Sequence, residues 1–403
     1  MLFRIPVFSF IYAIAQCREV MGEYKEHPTN MSSSTLFTPL KVGATKLQHR
    51  IAMAPLTRFR ADENHVPLPM VSEYYTQRAS VPGTHLITEA TFISPQAGGY
   101  SNVPGIWNKD QITAWKKVTD SVHAKKSHIW VQLWALGRTA DPSELGKSGY
   151  KLKSASDIAF EGGAKPEALT ESEIKEYIGW YAQAAKNAIE AGFDGVEIHG
   201  ANGYLVDQFL QDTSNQRTDS WGGSIENRAR FGLEVTKAVV EAVGADKTGI
   251  RLSPFSSFQG MKMADPVPQF SYFVQGLKKL NLAYLHAVES RIDGNVDSEA
   301  TEENVKFMVD IWDNTSPVLI AGGFSAESAK KAVDEEYKGR DIVIVFGRYF
   351  IANPDLPFRV KEGIEFTPYD RNTFYNKTQV EGYTTYTFSK EFEAQQKAIE
   401  VSA

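Results

Sequence analysis

Gly-Val-Glu-Ile-His-Gly-Ala-Asn-Gly-Tyr, residues 195–204, carries the strongest fold signal in this chain of 403 residues. β-Branched and polar side chains alternate in its Val-Glu-Ile portion, which predicts a short strand. That strand runs straight into His199, Asn202 and Tyr204, which lie among small residues. Polar groups at the carboxyl end of a buried strand are where a (β/α)8 barrel carries its chemistry. The stretch therefore predicts a barrel strand that ends in a functional site.

Three side chains of this stretch indicate a chemistry. His199 and Asn202 can each donate a hydrogen bond, and Tyr204 can donate a proton. Two donors that hold an oxyanion, with an acid nearby, suit the polarisation and reduction of a conjugated carbonyl. A histidine near a strand end can equally be a structural residue, so the functional interpretation depends on the rest of the chain.

Seven further apolar runs resemble strands, and helical patterns alternate with them. The strands are predicted at 51–55, 84–90, 129–134, 196–198, 249–254, 283–290, 318–323 and 342–345. The helices are predicted at 71–78, 110–124, 170–191, 225–243, 270–280, 302–312 and 326–333, and Thr170 with Glu173 forms a capping-box pattern. This α/β alternation favours a closed (β/α)8 TIM barrel. A doubly wound open sheet is the alternative, but its Gly-x-Gly-x-x-Gly turn is missing from the sequence.

Two segments interrupt the alternation, and the ends of the chain differ from its middle. Residues 138–169 and 207–223 each follow a strand, which predicts loop excursions over the C-terminal face of the barrel. A single barrel domain is expected over 34–390, with a C-terminal tail at 391–403. Residues 1–33 are expected to be a disordered extension or an upstream start; a weak signal peptide is the alternative.

Composition limits the partners that we expect. The net charge of −6 and the pI of about 5.8 do not resemble the basic footprint of a nucleic-acid-binding protein. The apolar run near the N-terminus is too short to span a bilayer, so no membrane partner is expected. Cys17 is the sole cysteine, which excludes an intramolecular disulfide and a Cys-ligated iron–sulfur cluster. A cytoplasmic protein, monomeric or homodimeric, is the resulting expectation.

Glycines follow the last two predicted strands. The stretches are Ala-Gly-Gly-Phe (321–324) and Phe-Gly-Arg-Tyr (346–349). Loops after strands seven and eight of such barrels frequently bind phosphate, because glycines let backbone N–H groups approach the anion closely. Arg348 adds a positive charge. We therefore expect a phosphorylated ligand, either a substrate or a cofactor such as FMN.

Two polar residues stand inside apolar strands and need partners. A buried arginine such as Arg251 requires either a salt bridge or an electron-rich ligand, and the pyrimidine edge of a flavin would suit it. Gln132 lies in the nearly apolar run 129–134, and a flavin ring would supply its amide with a donor and an acceptor.

Together these motifs resemble the old yellow enzyme family, whose members are FMN-dependent, NADPH-using ene-reductases. The resemblance covers residues 36–388 and is strongest to fungal members. The matching motifs are Ala-Pro-Leu-Thr-Arg (54–58), Ile-Thr-Glu-Ala (87–90), Ser-Pro-Gln-Ala-Gly-Gly-Tyr (94–100), Val-Gln-Leu-Trp (131–134), His-Gly-Ala-Asn-Gly-Tyr-Leu (199–205), Asp-Ser-Trp-Gly-Gly-Ser (219–224), Arg-Leu-Ser-Pro (251–254) and Phe-Gly-Arg (346–348).

The resemblance implies a role for each matching residue. Tyr204 would be the proton donor, His199 and Asn202 would hold the substrate oxygen, and Thr57 would tune the flavin. FMN would be bound by Pro55, Leu56, Thr57, Ala90, Gln132, Arg251, Gly323, Gly347 and Arg348. The substrate would contact His199, Asn202, Trp134, Tyr100, Phe258 and Tyr375, although the aromatic residues could instead serve the core. No metal site is expected.

The resemblance also implies the reaction. NADPH would reduce FMN, which would then reduce the C=C bond of an α,β-unsaturated aldehyde or ketone in a ping-pong cycle, and secondary metabolism would be a plausible setting. Tyrosine at 204, where related isomerases carry phenylalanine, indicates net reduction. A redox-neutral isomerase and a non-catalytic flavin-binding protein are the alternatives. The loops at 138–169 and 288–300 are expected to select the substrate.

Overall fold

The computed structural model describes residues 34–294, 296–297 and 303–402. The extension expected over residues 1–33 lies outside the described residues. So does part of the 288–300 loop that was expected to select the substrate, namely residue 295 and residues 298–300.

Eight parallel strands close into a barrel. They are β1 (Ile51–Met53), β2 (His85–Phe92), β3 (His128–Trp134), β4 (Gly195–Gly200), β5 (Thr248–Leu252), β6 (Tyr284–Val288), β7 (Val318–Ala321) and β8 (Ile342–Phe346). Neighbours along the chain pair in the sheet, and β8 pairs with β1 through Ile344 and Ile51 to complete the ring. The predicted (β/α)8 fold is confirmed.

Helices surround the barrel between successive strands. The principal ones are Pro69–Arg78, Lys109–Ala124, Glu171–Glu190, Ile225–Val243, Val267–Lys278, Lys306–Trp312, Ala326–Lys331 and Leu356–Glu362, and Lys390–Ser402 forms a C-terminal helix. Ala332–Glu336 continues the helix Ala326–Lys331 as a short π-helical turn. Thr170 and Glu173 form the expected capping box, in which the Glu173 N–H donates to the Thr170 hydroxyl over 3.3 Å.

Short elements fill the connections. They are the 3₁₀ turns Thr35–Phe37, Pro95–Ala97, Gly137–Thr139, Ala245–Lys247, Phe258–Gly260 and Arg371–Thr373, the helices Pro142–Lys147, Leu205–Leu210 and Arg348–Ala352, and the paired strands Lys153–Ser154 with Glu167–Ala168 and Ile292–Asp293 with Val296–Asp297.

Several element boundaries differ from the sequence prediction, and two of the differences bear on the site or its neighbouring loops. Residues 207–210 belong to the helix Leu205–Leu210 rather than to a loop, because the polar Asp207 and Gln208 are buried and hydrogen-bonded inside the protein. The helix predicted from residue 302 begins at Lys306, after the N-cap residue Val305.

The amino end of the barrel is closed. The hairpin Leu40–Val42 and Thr45–Leu47 places Val42 and Leu47 in one apolar cluster with the inward-facing Trp130 and Tyr284. The open end is therefore the carboxyl end, to which β4 delivers His199. Within the described residues, no helix has the length and apolar character needed to cross a bilayer.

Candidate active site

A cavity of about 390 Å³ opens at the carboxyl ends of the strands. Its size falls in the range of small-molecule and cofactor sites. Fifteen of the residues predicted to form the site line it: Pro55, Leu56, Thr57, Ala90, Gln132, Trp134, His199, Asn202, Tyr204, Arg251, Phe258, Gly323, Gly347, Arg348 and Tyr375. Closure of the barrel thus brings together residues that are up to 320 positions apart, from Pro55 to Tyr375.

His199, Tyr204 and Trp134 form one aromatic corner of the cavity. The ring centroids of His199 and Tyr204 are 4.8 Å apart, and those of Trp134 and Tyr204 are also 4.8 Å apart, both in edge-on geometry. The described chain gives no hydrogen-bond partner to the buried Nδ1 of His199. An unpaired buried nitrogen beside a cavity suits a ligand, because a missing bond costs free energy until a partner arrives.

The protonation states suit a site of neutral donors. Burial, reinforced by the positive charge of Arg251, holds the pKa of His199 well below its usual value, so the imidazole is neutral at pH 7. Burial raises the pKa of Tyr204, so its phenol keeps its proton. His199 can therefore donate a hydrogen bond without carrying charge, and Tyr204 remains able to supply a proton.

A tight turn places Asn202 and Tyr204. Asn202 has a φ of 58° and Gly203 a φ of 76°, a left-handed pair that asparagine and glycine tolerate well. Asp207 anchors the turn by accepting the Gly203 N–H over 2.9 Å, and the Gln208 amide donates to the Gly203 carbonyl over 2.7 Å. Gln259 adds a bond to the Asn202 carbonyl over 2.8 Å. The helix Leu205–Leu210, where a loop was predicted, thus holds the turn that carries Asn202 and Tyr204.

Gln132 and Arg251 face the cavity from its floor. The Gln132 amide nitrogen donates to the carboxylate of Glu197, on the neighbouring strand, over 2.8 Å. Arg251 forms no ion pair with a described carboxylate within 4.0 Å, and its buried Nε has no partner among the described residues. No salt bridge within 4.0 Å therefore explains Arg251 in the described structure; the charge of Glu197 acts on it from a greater distance, and an electron-rich ligand would suit it as a direct partner.

Small residues and glycines shape the side of the cavity formed by β7, β8 and β1. A Cβ atom on Gly322 would lie 2.8 Å from the Cβ of Glu289, so a side chain there would collide. Gly323 adopts a φ of 63°, and Arg348 lies at the start of the short helix after β8. Ala54 and Ala321 leave open space above the barrel interior. This wall, with the unpaired Arg251 opposite, fits a planar cofactor that bears a phosphate tail, such as FMN.

The predicted aromatic residues divide into two groups. Phe258 and Tyr375 stand at the rim, where they are 38% and 46% exposed, so a ligand could cover them. Tyr100 does not line the cavity: its hydroxyl donates to the Thr139 carbonyl over 2.7 Å, and its ring packs edge-on against Trp134. Tyr100 therefore lies outside the cavity lining, packed against Trp134.

Sequence reasoning missed several lining residues. They are Ala54, Val288, Ile292, Gly294, Ala321, Gly322, Phe324, Val345, Phe346, Tyr349 and Tyr369. Most of them adjoin the ends of predicted strands, so the position of each strand end was the available signal. The described residues contain no cluster of three or more potential metal ligands.

Sequence comparisons place the chain among flavin oxidoreductases. The profile of the NADH:flavin oxidoreductase / NADH oxidase family matches residues 35–366. Chanoclavine-I aldehyde reductase fgaOx3 of Penicillium roqueforti is 61% identical over 91% of this chain and 99% of that protein. NADP-dependent oxidoreductase lnbE of Aspergillus flavus is 54% identical over 88% and 97%. A relative from Epichloe festucae var. lolii, 52% identical over 93% and 100%, is described as a probable inactive reductase, easA.

A solved structure gives the same result. The old yellow enzyme of Pichia sp. AKU4542 superimposes with a TM-score of 0.81, at 42% identity, over 89% of this chain and 94% of that one. The resemblance inferred from the motifs is therefore confirmed at the level of both sequence and fold.

Proposed function

The chain belongs to the NADH:flavin oxidoreductase / NADH oxidase family as an FMN-dependent, NADPH-using enzyme of the old yellow enzyme type. From that premise we propose that it reduces the C=C bond of α,β-unsaturated aldehydes and ketones. The observation that carries this proposal is that His199, Asn202 and Tyr204 line one cofactor-sized cavity. Together they supply two neutral hydrogen-bond donors and a protonated phenol.

Within this proposal, the floor and one wall of the cavity would bind FMN. Gln132 and Arg251 would hold the pyrimidine edge of the flavin, Thr57 would bond the ring, and Pro55, Leu56 and Ala90 would lie along it. Gly323, Gly347 and Arg348 would hold the phosphate. When bound, FMN supplies hydride transfer between NADPH and the alkene.

The remaining residues act on the substrate. His199 and Asn202 donate hydrogen bonds to the carbonyl oxygen, so the negative charge that develops there during reduction is stabilised. Tyr204 supplies the proton to the α-carbon, a contribution of about 10²–10⁴-fold in rate. Trp134, Phe258 and Tyr375 bound the space in which the alkene lies.

The relatives support a substrate class. One relative is named an aldehyde reductase of chanoclavine-I aldehyde, which favours an unsaturated aldehyde of fungal secondary metabolism as the substrate. Another is described as a probable inactive reductase, so turnover has to be measured directly. Tyr204 supports net reduction over redox-neutral isomerisation, because the isomerase route needs no external proton donor at this position.

An anaerobic two-step experiment tests the proposal. The purified holoenzyme is reduced with NADPH, and cyclohexenone is then added while the visible absorption band of the flavin is followed. We expect bleaching, then recovery with formation of cyclohexanone. Bleaching without recovery would contradict reduction of simple enones, and a supplied enal that is isomerised without net NADPH consumption would favour the isomerase. A protein that takes up no FMN would overturn the proposal.

A further inference from the structure

Glu197 is a fully buried carboxylate at the centre of the barrel, and the catalytic scheme above does not use it. It lies on β4 directly beside Gln132 of β3, and its side chain has 0% exposure. A carboxylate removed from water costs several kcal/mol unless its oxygens are fully hydrogen-bonded. Its partners therefore indicate why the barrel retains it.

Residues on two other strands, β3 and β6, saturate this carboxylate. Its Oε1 accepts the Gln132 amide N–H over 2.8 Å. Its Oε2 accepts the Tyr284 hydroxyl over 3.1 Å and bonds His286 Nδ1 over 2.7 Å. Burial alone would raise the pKa of Glu197, but His286, Arg251 and Gln132 hold it below its usual value, so the group is an anion. Burial likewise lowers the pKa of His286, which therefore donates its Nδ1–H as a neutral ring.

A glycine makes this network sterically feasible. Gly249 of β5 stands in register with Glu197, between that residue and Tyr284. A Cβ atom on Gly249 would lie 2.4 Å from Cζ of Tyr284, so any side chain would block the path of the phenol to the carboxylate. The absence of a side chain on Gly249 thus leaves room for the Tyr284 hydroxyl to reach the Glu197 carboxylate.

The anion determines which way the Gln132 amide points. An ionised carboxylate only accepts hydrogen bonds, so Gln132 must present its NH₂ group to Glu197. Its carbonyl oxygen then lies on the side of the cavity that Gln132 lines. A ligand at this position must offer an N–H to that oxygen, as the imide of a flavin pyrimidine ring does.

We propose that Glu197 is a positioning residue for the cofactor: it fixes the Gln132 amide with its oxygen toward the pyrimidine N–H, and its charge balances that of Arg251 beneath the ring. This inference rests on the proposed placement of FMN against Gln132 and Arg251. Glu197 would thus influence the charge environment beneath the flavin without lining the cavity itself.

Glu197→Gln tests both parts. The neutral amide can donate as well as accept, so Gln132 is free to rotate, and we expect oxidised FMN to bind about tenfold more weakly. Loss of the buried negative charge makes added negative charge on the flavin less costly. The affinity ratio of reduced to oxidised FMN should therefore rise about tenfold, which raises the two-electron potential by about 30 mV. The readouts are FMN affinity of the apoprotein and an anaerobic redox titration.

Matched variants separate the outcomes. Asp355→Asn removes another fully buried carboxylate, which pairs with Arg359 away from the cavity, and should change neither readout. Glu197→Asp keeps the charge but shortens the reach, so FMN affinity should fall while the ratio of the two affinities stays within twofold; it also serves if Glu197→Gln does not fold. Unchanged FMN affinity and potential in these variants would overturn the inference.

A last pair of variants distinguishes this inference from the proposed site. Gln132→Leu and Arg251→Leu should each weaken FMN binding by more than tenfold. If neither does, the proposed placement of FMN is wrong. If both do and the Glu197 variants bind FMN normally, only the role of Glu197 is wrong.

Discussion

The two ends of the barrel are built from the same eight strands but are filled differently. At the amino end the inward positions carry the large Trp130 and Tyr284, and a hairpin covers them. At the carboxyl end a cavity opens, which is lined by the small Ala54, Ala90 and Ala321 together with larger polar and aromatic side chains such as Arg251 and Trp134. The two ends therefore differ in which side chains fill them: one end is a packed core and the other is a candidate site.

The polar groups differ in the same way. At the amino end, His85 is fully buried, and both of its ring nitrogens are unpaired among the described residues. Burial lowers its pKa to about 3, so the ring is neutral and contributes only by packing. At the carboxyl end, His199 is also neutral and its unpaired Nδ1 belongs to a ring that lines the cavity. We therefore expect His85 to serve packing and His199 to serve binding, and the four predictions below test that division.

Tyr204→Phe should have the largest effect. Loss of the proton donor is expected to lower net alkene reduction by about 10²–10⁴-fold, while reduction of bound FMN by NADPH keeps its rate. Stopped-flow measurement of the two half-reactions checks this. Tyr181→Phe, a buried phenol on the helix Glu171–Glu190, is the control and should leave both rates unchanged. Equal alkene reduction in Tyr204→Phe and wild type would refute the assignment.

Trp130→Ala should affect stability alone. The indole is fully buried against Tyr284, with ring centroids 5.0 Å apart, so its removal should lower the free energy of unfolding by about 3–5 kcal/mol. FMN affinity should stay within twofold. Trp134→Ala, on the carboxyl side of the same strand, should also alter the KM for the alkene. Denaturant unfolding and steady-state kinetics are measured on both variants. A changed KM for the alkene in Trp130→Ala would contradict the division between the two ends of the barrel.

His199→Ala removes one of the two proposed oxyanion donors. Such a loss costs about 10²–10³-fold in turnover, which corresponds to about 2.7–4 kcal/mol. The value of kcat/KM for cyclohexenone at saturating NADPH measures it. His199→Asn retains an N–H donor and should lose less than His199→Ala. A decrease under tenfold in the alanine variant would mean that this histidine is structural, like its counterpart His85.

Sequence patterns predicted the strands and the turn that carries the candidate catalytic residues because both depend on local signals. Apolar runs identified β1 to β8, and His199, Asn202 and Tyr204 follow one another within six residues. The role of Glu197 was not predictable, since its partners Gln132, Tyr284 and His286 come from other strands and meet only when the barrel closes. Tertiary closure, which leaves no trace in local periodicity, created that network.

The helix Leu205–Leu210, where a loop was predicted, and the position of Tyr100 outside the cavity lining have related causes. Asp207 and Gln208 look like loop residues in the sequence, but they are buried because the catalytic turn supplies their hydrogen-bond partners. Tyr100 matches a family motif, yet its hydroxyl is held by the Thr139 carbonyl, so the ring stands behind Trp134. In both cases a long-range polar contact overrode what the local pattern indicated.

Asp207→Asn should change how the free energy of unfolding depends on pH. Burial raises the pKa of Asp207 from 3.8 to about 7 in the folded protein. The folded state therefore holds this proton more tightly than the unfolded state, so the stabilising contribution is complete below pH 4 and is lost as the pH rises to about 7.

The asparagine variant lacks this titration. Between pH 4 and pH 7, its free energy of unfolding should rise relative to wild type by up to about 1.4 kcal/mol per pH unit, and the difference should level off above pH 7. Urea unfolding of both proteins at several pH values measures the slope, and other buried acids such as Glu89 cancel in the comparison because both proteins carry them. Parallel curves would show that the Asp207 carboxylate is ionised in the folded protein, as the buried Glu197 is.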